Sequence, residues 1–185
     1  MTARMREFTC VAVLLGILPL AGTAPVPRKS PELTYLDRSG NATSVSSFRD
    51  KVVLIEFMLM DCPHCARVTQ MINKLHSDLG PRGFQPIGVA FDTGASGPLV
   101  TYFVQYFKVN FPVGYTSSNK VDSYLGRSPM EQFQVPQIVV IDRKGVIRAQ
   151  SLPINETNLE DETYLRNLLD MLLKEGGGAG RPGTD

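Results

Sequence analysis

The run Val52-Val53-Leu54-Ile55-Glu56-Phe57-Met58-Leu59-Met60-Asp61-Cys62-Pro63-His64-Cys65 decides the fold. Its first part is apolar at nearly every position, the pattern of a strand in the middle of a sheet covered on both faces. The period then changes. Cys65, Val68, Ile72, Leu75 and Leu79 recur at steps of three and four, with Arg67, Gln70, Asn73, Lys74, Ser77 and Asp78 elsewhere, so the spacing predicts a helix with one buried stripe. Gly80-Pro81 ends it. Pro63 suits the first helical position, where its missing N–H costs nothing, and this makes Cys62 the N-cap. One thiol therefore stands at the open end of a helix and its mate lies one turn inside.

That asymmetry suits thiol–disulfide exchange. The thiolate is the reactive species, and a helix N-terminus favours it through the orphan amides of His64 and Cys65 and through the macrodipole. Cys62 is then the nucleophile and Cys65 the resolving thiol. A protonated His64 between them supports the anion on Cys62, while Asp61 opposes it. Glu56, in an apolar strand, is costly to bury without a task, and it can take the Cys65 proton, through water if needed. Plainer readings exist for each. A structural Cys62–Cys65 bridge closes so short a loop that it removes little chain entropy. His64 is otherwise a solvated side chain, Glu56 a strand-end carboxylate reaching water, and Met58 and Met60 packing residues.

The pattern IEFMLMDCPHC, with Glu56 six positions before Cys62, resembles the active-site junction of thioredoxin-fold proteins. Val135-Pro136-Gln137-Ile138 resembles that family's loop with a cis-proline facing the disulfide. Val109-Asn110-Phe111-Pro112-Val113 and Ile141-Asp142-Arg143-Lys144-Gly145 resemble the exported TlpA/ResA-type branch. The resemblance spans roughly residues 31–174. It implies a thioredoxin fold of the α/β class, with a central mixed sheet, helices on both faces and an inserted α/β segment. It also implies a thiol–disulfide oxidoreductase, with Val135 and Pro136 beside the substrate, where the Val135 backbone pairs with an extended peptide. Relatives commonly carry Trp before the first cysteine, and this chain has none. The Pro-His dipeptide is typical of the oxidising periplasmic branch and the flanks of the reducing one, so both directions of electron flow stay open.

Arg4 and Arg6 precede the apolar run of residues 11–18, a charged head and a core too short to span a bilayer comfortably, which reads as a secretory signal. Gly22-Thr23-Ala24 offers a cleavage site; Pro25 directly after it suits an uncleaved anchor instead. Residues 1–24 are thus expected to be a signal peptide or N-terminal anchor, 25–175 the thioredoxin-like domain, and 176–185 a flexible Gly-rich tail. Export to the periplasm or another extracytoplasmic space follows, with membrane attachment only if the leader stays. Cys10 goes with the leader, leaving Cys62 and Cys65 where disulfides persist.

With 185 residues and 43% hydrophobic content, the chain can build one domain with a substantial core. The net charge is +1, and removal of residues 1–24 leaves 17 basic and 17 acidic residues, so nothing calls for nucleic acid. The expected partners are protein thiols or disulfides and a redox partner protein, the expected state is a monomer, and no cofactor or resident metal is required. Strands are expected at residues 33–36 (an edge), 52–58, 85–91 and 111–115, with a hairpin of 138–141 and 146–150 around the turn residues 142–145. A helix is expected over 99–107, and a final helix behind a Thr157/Glu160 capping box, with Leu165, Leu168, Leu169, Leu172 and Leu173 on the sheet. Residues 25–31 read as a linker, and 92–134 as the insert that shapes partner choice.

Two other chemistries fit parts of the pattern. The thiols and an imidazole can hold Cu(I), although His76, eleven residues from Cys65 and so about 16 Å along the helix, cannot complete that site. A peroxidase of the peroxiredoxin type shares the sheet, but Ile55 and Leu59 stand where such enzymes carry Pro and Thr.

Overall fold

The computed structural model describes residues 24–154 and 158–175. Residues 1–23, which hold nearly all of the expected leader, residues 176–185 of the expected Gly-rich tail, and residues 155–157, Thr157 among them, lie outside the described residues. The central run forms β4 (Val52–Met58), buried at every position, with β5 (Phe84–Ala90) parallel on one side and β7 (Gln137–Ile141) antiparallel on the other. The remaining strands are β1 (Arg28–Lys29), β2 (Thr34–Asp37), β3 (Ala42–Ser44), β6 (Val113–Tyr115) and β8 (Val146–Gln150). The eight strands form one mixed sheet in the order β1-β8-β7-β4-β5-β6-β2-β3.

The alternation of a strand sorts β4 between two cores. Val52, Leu54 and Met58 pack with α1 (Pro63–Leu79), α2 (Gly97–Tyr106) and α4 (Glu162–Glu175). Val53, Ile55 and Phe57 pack with α3 (Ser118–Leu125), Leu33 and Tyr35 on the opposite face. Glu56 has the parity of Leu54 and Met58, which places it under α1. The buried stripe of α1 is Cys65, Val68, Ile72, Leu75 and Leu79 together with Thr69, as the spacing predicts apart from Thr69. Helix α1 passes into a 3₁₀ turn at Gly80–Arg82, closed by Gly83 in the left-handed region.

Three expectations need correction. Residues 34–37 are no edge strand, because β2 pairs with β6 on one side and β3 on the other. Residues 25–31 are no free linker: β1 adds to the open edge of β8, with Arg28 opposite Ile147, and the Arg28 guanidinium donates to the Tyr124 carbonyl at 3.1 Å and to Gln150 Oε1 at 2.7 Å. The last helix opens at Glu162 rather than behind Thr157. Asp161 Oδ1 accepts the Tyr164 N–H at 2.7 Å, the bond of an N-cap to its N3 amide, while residues 158–160 form a separate 3₁₀ turn.

Candidate active site

Strand β4 delivers the chain to the surface, and Cys62 turns it into α1 with extended backbone angles. The Cys62 sulfur accepts the Cys65 N–H at 3.1 Å. That amide is one of the donors a helix start leaves without a partner, so the sulfur is itself the cap. Cys62 is half-buried and Cys65 fully buried, and both are free thiols. Burial pushes the Cys65 thiol well above the ordinary thiol range, and the neighbouring Cys62 sulfur and Glu56 charge act in the same direction. The inner thiol therefore holds its proton and needs a base before it can attack.

Glu56 is fully buried. Burial pushes its carboxyl up to about 8, against the Thr69 hydrogen bond, which lowers it, and with a smaller upward push from the Glu160 charge. Thr69 Oγ1 donates to both carboxyl oxygens, at 3.1 and 2.9 Å. The strand-end, water-reaching reading of Glu56 is thereby excluded, since the residue is the fifth of seven in a buried strand. Thr69 was not singled out in the sequence, yet it lies four residues after Cys65 on the same helical stripe, and a hydroxyl on an otherwise apolar stripe was the available signal.

His64 is exposed, and its ring links α1 to the 3₁₀ turn of residues 158–160. Nε2 lies 2.6 Å from Glu160 Oε2, and Arg67 Nη2 lies 3.0 Å from Nδ1. Guanidinium only donates, so Nδ1 accepts and Nε2 carries the hydrogen towards Glu160. Asp61 is exposed beside Cys62. Asp92 accepts the Met60 N–H through both oxygens, at 3.0 and 3.1 Å, and so steadies the turn between β4 and α1.

The Val135–Pro136 peptide is cis. Val135 is half-buried and packs against the same core as Cys62, and Pro136 is buried. The loop before it is held by an ion pair between Arg127 and Asp122, whose side chains are 4% and 7% exposed. The Arg127 guanidinium lies 3.5 Å above the Phe133 ring centre, and Phe133 stacks on Phe91 at 5.7 Å. None of these four side chains was legible as part of the site. Among the described residues, no group of three or more His, Cys, Asp or Glu side chains could hold a metal ion, and no helix is long and apolar enough to cross a membrane.

A mixed sheet with helices on both faces, and a cysteine pair at the mouth of the helix after its central strand, is a thioredoxin-like α/β fold. The chain belongs to the AhpC/TSA family, whose model matches residues 26–150. Among solved structures, a Bacteroides thetaiotaomicron protein provisionally described as a disulfide isomerase is similar at 25% identity and a TM-score of 0.68, over 84% of this chain and 95% of that one. A thiol:disulfide interchange protein from a Bacteroides species gives 22% and 0.65, over 85% and 95%. A thioredoxin-family thiol:disulfide interchange protein from Chlorobium tepidum gives 18% and 0.65, over 81% and 99%. Among curated proteins none matches.

Proposed function

We propose that the protein is an exported thiol–disulfide oxidoreductase acting on protein substrates through Cys62 and Cys65. The observation that carries this reading is the half-buried Cys62 sulfur capping α1, 3.1 Å from the Cys65 amide, with the second thiol buried one turn behind. The amide and the helix dipole favour negative charge on the outer sulfur. Acting as a reductant, the Cys62 thiolate attacks one sulfur of a partner disulfide; that S–S bond breaks and the other partner sulfur leaves with the electron pair. Cys65 then gives its proton to the Glu56 carboxylate and attacks the Cys62 sulfur. The second partner thiolate leaves, so the partner gains two electrons and the cysteine pair is oxidised. In the opposite direction the same steps run backwards, with protonated Glu56 returning the proton to the Cys65 thiolate. Val135 and Pro136 flank the partner segment, and His64, bonded through its ring to Arg67 and Glu160, shapes the open end of α1 beside the thiols.

The likeness to thiol:disulfide interchange proteins supports this class of chemistry, and the charged head and short apolar run of residues 4–18 support export. A Cys65→Ser variant should accumulate partners on Cys62 as disulfides that a reductant releases on a non-reducing gel. Absence of any such adduct from cells in which the variant is exported would overturn the mechanism. The reduction potential against glutathione fixes the direction: a value near about −270 mV means a reductant and one near about −120 mV an oxidant.

A further inference from the structure

Helix α2 belongs to the insert, and it exposes the wrong residues for a helix that faces only water. Leu99, Tyr102 and Tyr106 are 50%, 64% and 66% exposed. They lie on one face at steps of three and four, while Val100 and Phe103 on the opposite face are in the core. Tyr102 and Tyr106 stack at 5.7 Å with rings 22° from parallel, and Phe107 meets Tyr106 edge-on at 4.8 Å. The helix is pinned in this orientation: a Cβ on Gly97 would stand 2.3 Å from the Arg38 carbonyl oxygen, so only glycine fits where α2 begins.

This stripe borders two hollows. The first, about 480 Å³, is lined by Cys62 itself with Met60, Tyr106, Phe107 and Arg67. The second, about 330 Å³, is lined by Leu99, Tyr102, Asp92 and Thr93. Met60, Asp61 and Phe107 line both, so the two form one trough leading away from the reactive sulfur. Neither is lined by Val135 or Pro136. The floor is apolar and aromatic, the composition of interface cores. Between the hollows the charge is acidic: Asp61, which lines both, is exposed and has no ion pair among the described residues, and Asp92 lines the second. The one cation in the trough, Arg67, is turned to His64.

We infer that this trough is a substrate-specificity groove that seats an extended partner segment, with an apolar or aromatic side chain near the reacting cysteine held against Tyr102, Tyr106 and Phe107 and a basic side chain at Asp61. The inference rests on the exchange reading above, because the occupant is committed to the trough by the sulfur at its end. A rigid aromatic floor costs little side-chain entropy on binding, and the acidic ridge selects charge and speeds encounter.

The test uses the reduced protein and cysteine peptides activated as mixed disulfides with thionitrobenzoate. Attack of Cys62 on the peptide sulfur forms the Cys62–peptide disulfide and breaks the S–S bond to thionitrobenzoate, which leaves with the electron pair and is read by its absorbance. Three peptides differ only beside the cysteine: one with Phe and Lys, one with Ser for Phe, one with Glu for Lys. The wild-type chain should react at least about tenfold faster with the Phe/Lys peptide than with the Ser peptide, a difference on the scale of one well-seated apolar side chain. It should react about fivefold faster than with the Glu peptide at low salt, with that second ratio shrinking at high salt. In Tyr102→Ser/Tyr106→Ser the Phe-to-Ser ratio should fall towards one. Equal wild-type rates on the Phe and Ser peptides, or a preference for Glu, overturn the groove while leaving the exchange reading intact. A wild-type chain that dimerises through Tyr102 and Tyr106, seen as a tyrosine-dependent shift in sedimentation, overturns it too. Failure of the wild type to release thionitrobenzoate from any peptide, or from the symmetric reagent alone, overturns both.

Discussion

Glu56 shows what a single buried titratable group imposes. In the unfolded chain a glutamate titrates near about 4.3, and in the fold burial pushes this one up to about 8. Between those values the folded state holds the extra proton, so stability is full below the unfolded pKa and is lost as pH rises through the folded one. The slope is at most about 1.4 kcal/mol per pH unit. Glu56→Gln keeps the shape and never ionises. Urea unfolding from pH 5 to 9 should therefore show the wild type losing stability relative to the variant from pH 5 up to about 8 and little further above it, and curves that stay parallel across that span would refute the assignment. The same titration governs chemistry: the wild-type resolving step should speed up as pH rises towards 8, and the Gln variant should lose that rise. Thr69→Val removes the hydroxyl that serves the carboxyl. It should cost about 1–3 kcal/mol, the cost of a buried polar group left unsatisfied, and lift the Glu56 carboxyl further, a shift that the pH profile of the resolving step would read out.

At the scale of elements, α1 is held from two sides in unequal measure. Towards the sheet it buries its stripe; towards α4 it makes surface ion pairs, Lys74 with Glu162 at 3.1 Å and Asp78 with Arg166 at 2.7 Å. Exposed pairs contribute about 0–1 kcal/mol, whereas truncating a fully buried Ile or Leu costs about 2–5. Arg166→Ala should thus change the unfolding free energy by less than about 1 kcal/mol, and Ile72→Ala by several times that; equal losses in denaturant titrations would mean the helix–helix charges matter more than the core. The same distinction explains what could be read in advance. Helix α1 was legible because one-sided burial writes a period into the chain, strand β4 because burial on both faces leaves an unbroken apolar run, and the Cys62 cap because Pro63 marks the first turn. Strands β1 and β3, of two and three residues, are too short to carry a period. Eight-residue α3 opens on Ser118 and Asn119, which favour turns as readily as helix. In the site, Cys62, Cys65 and Glu56 share one continuous stretch. His64 and Glu160, by contrast, meet across 96 residues, and the Phe133 ring under Arg127 is backed by Phe91 from just past the end of β5; no local spacing encodes either of these distant contacts.

For the molecule as a whole, the family match ends at residue 150, and α4 lies beyond it. This helix is nonetheless no appendage. Leu165, Leu169, Leu172 and Leu173 are buried in the core that contains Cys65, Ile72 and Leu54, and Leu159 of the preceding 3₁₀ turn joins them. Each of the four leucines is worth about 2–5 kcal/mol by the usual cost of truncation to alanine, and a domain's net stability is only about 5–15 kcal/mol. Loss of all four removes about 8 kcal/mol even at the smallest value, more than the lower end of that range. It would also expose the α1 face of β4 and β7, a large apolar surface of the kind that drives association. The segment matched by the family model is therefore not a folding unit in this chain. A version ending at residue 157 should show no cooperative thermal transition and should aggregate, while the chain to residue 175 melts as one unit; a sharp transition in the shorter version would show that the sheet closes its core without α4.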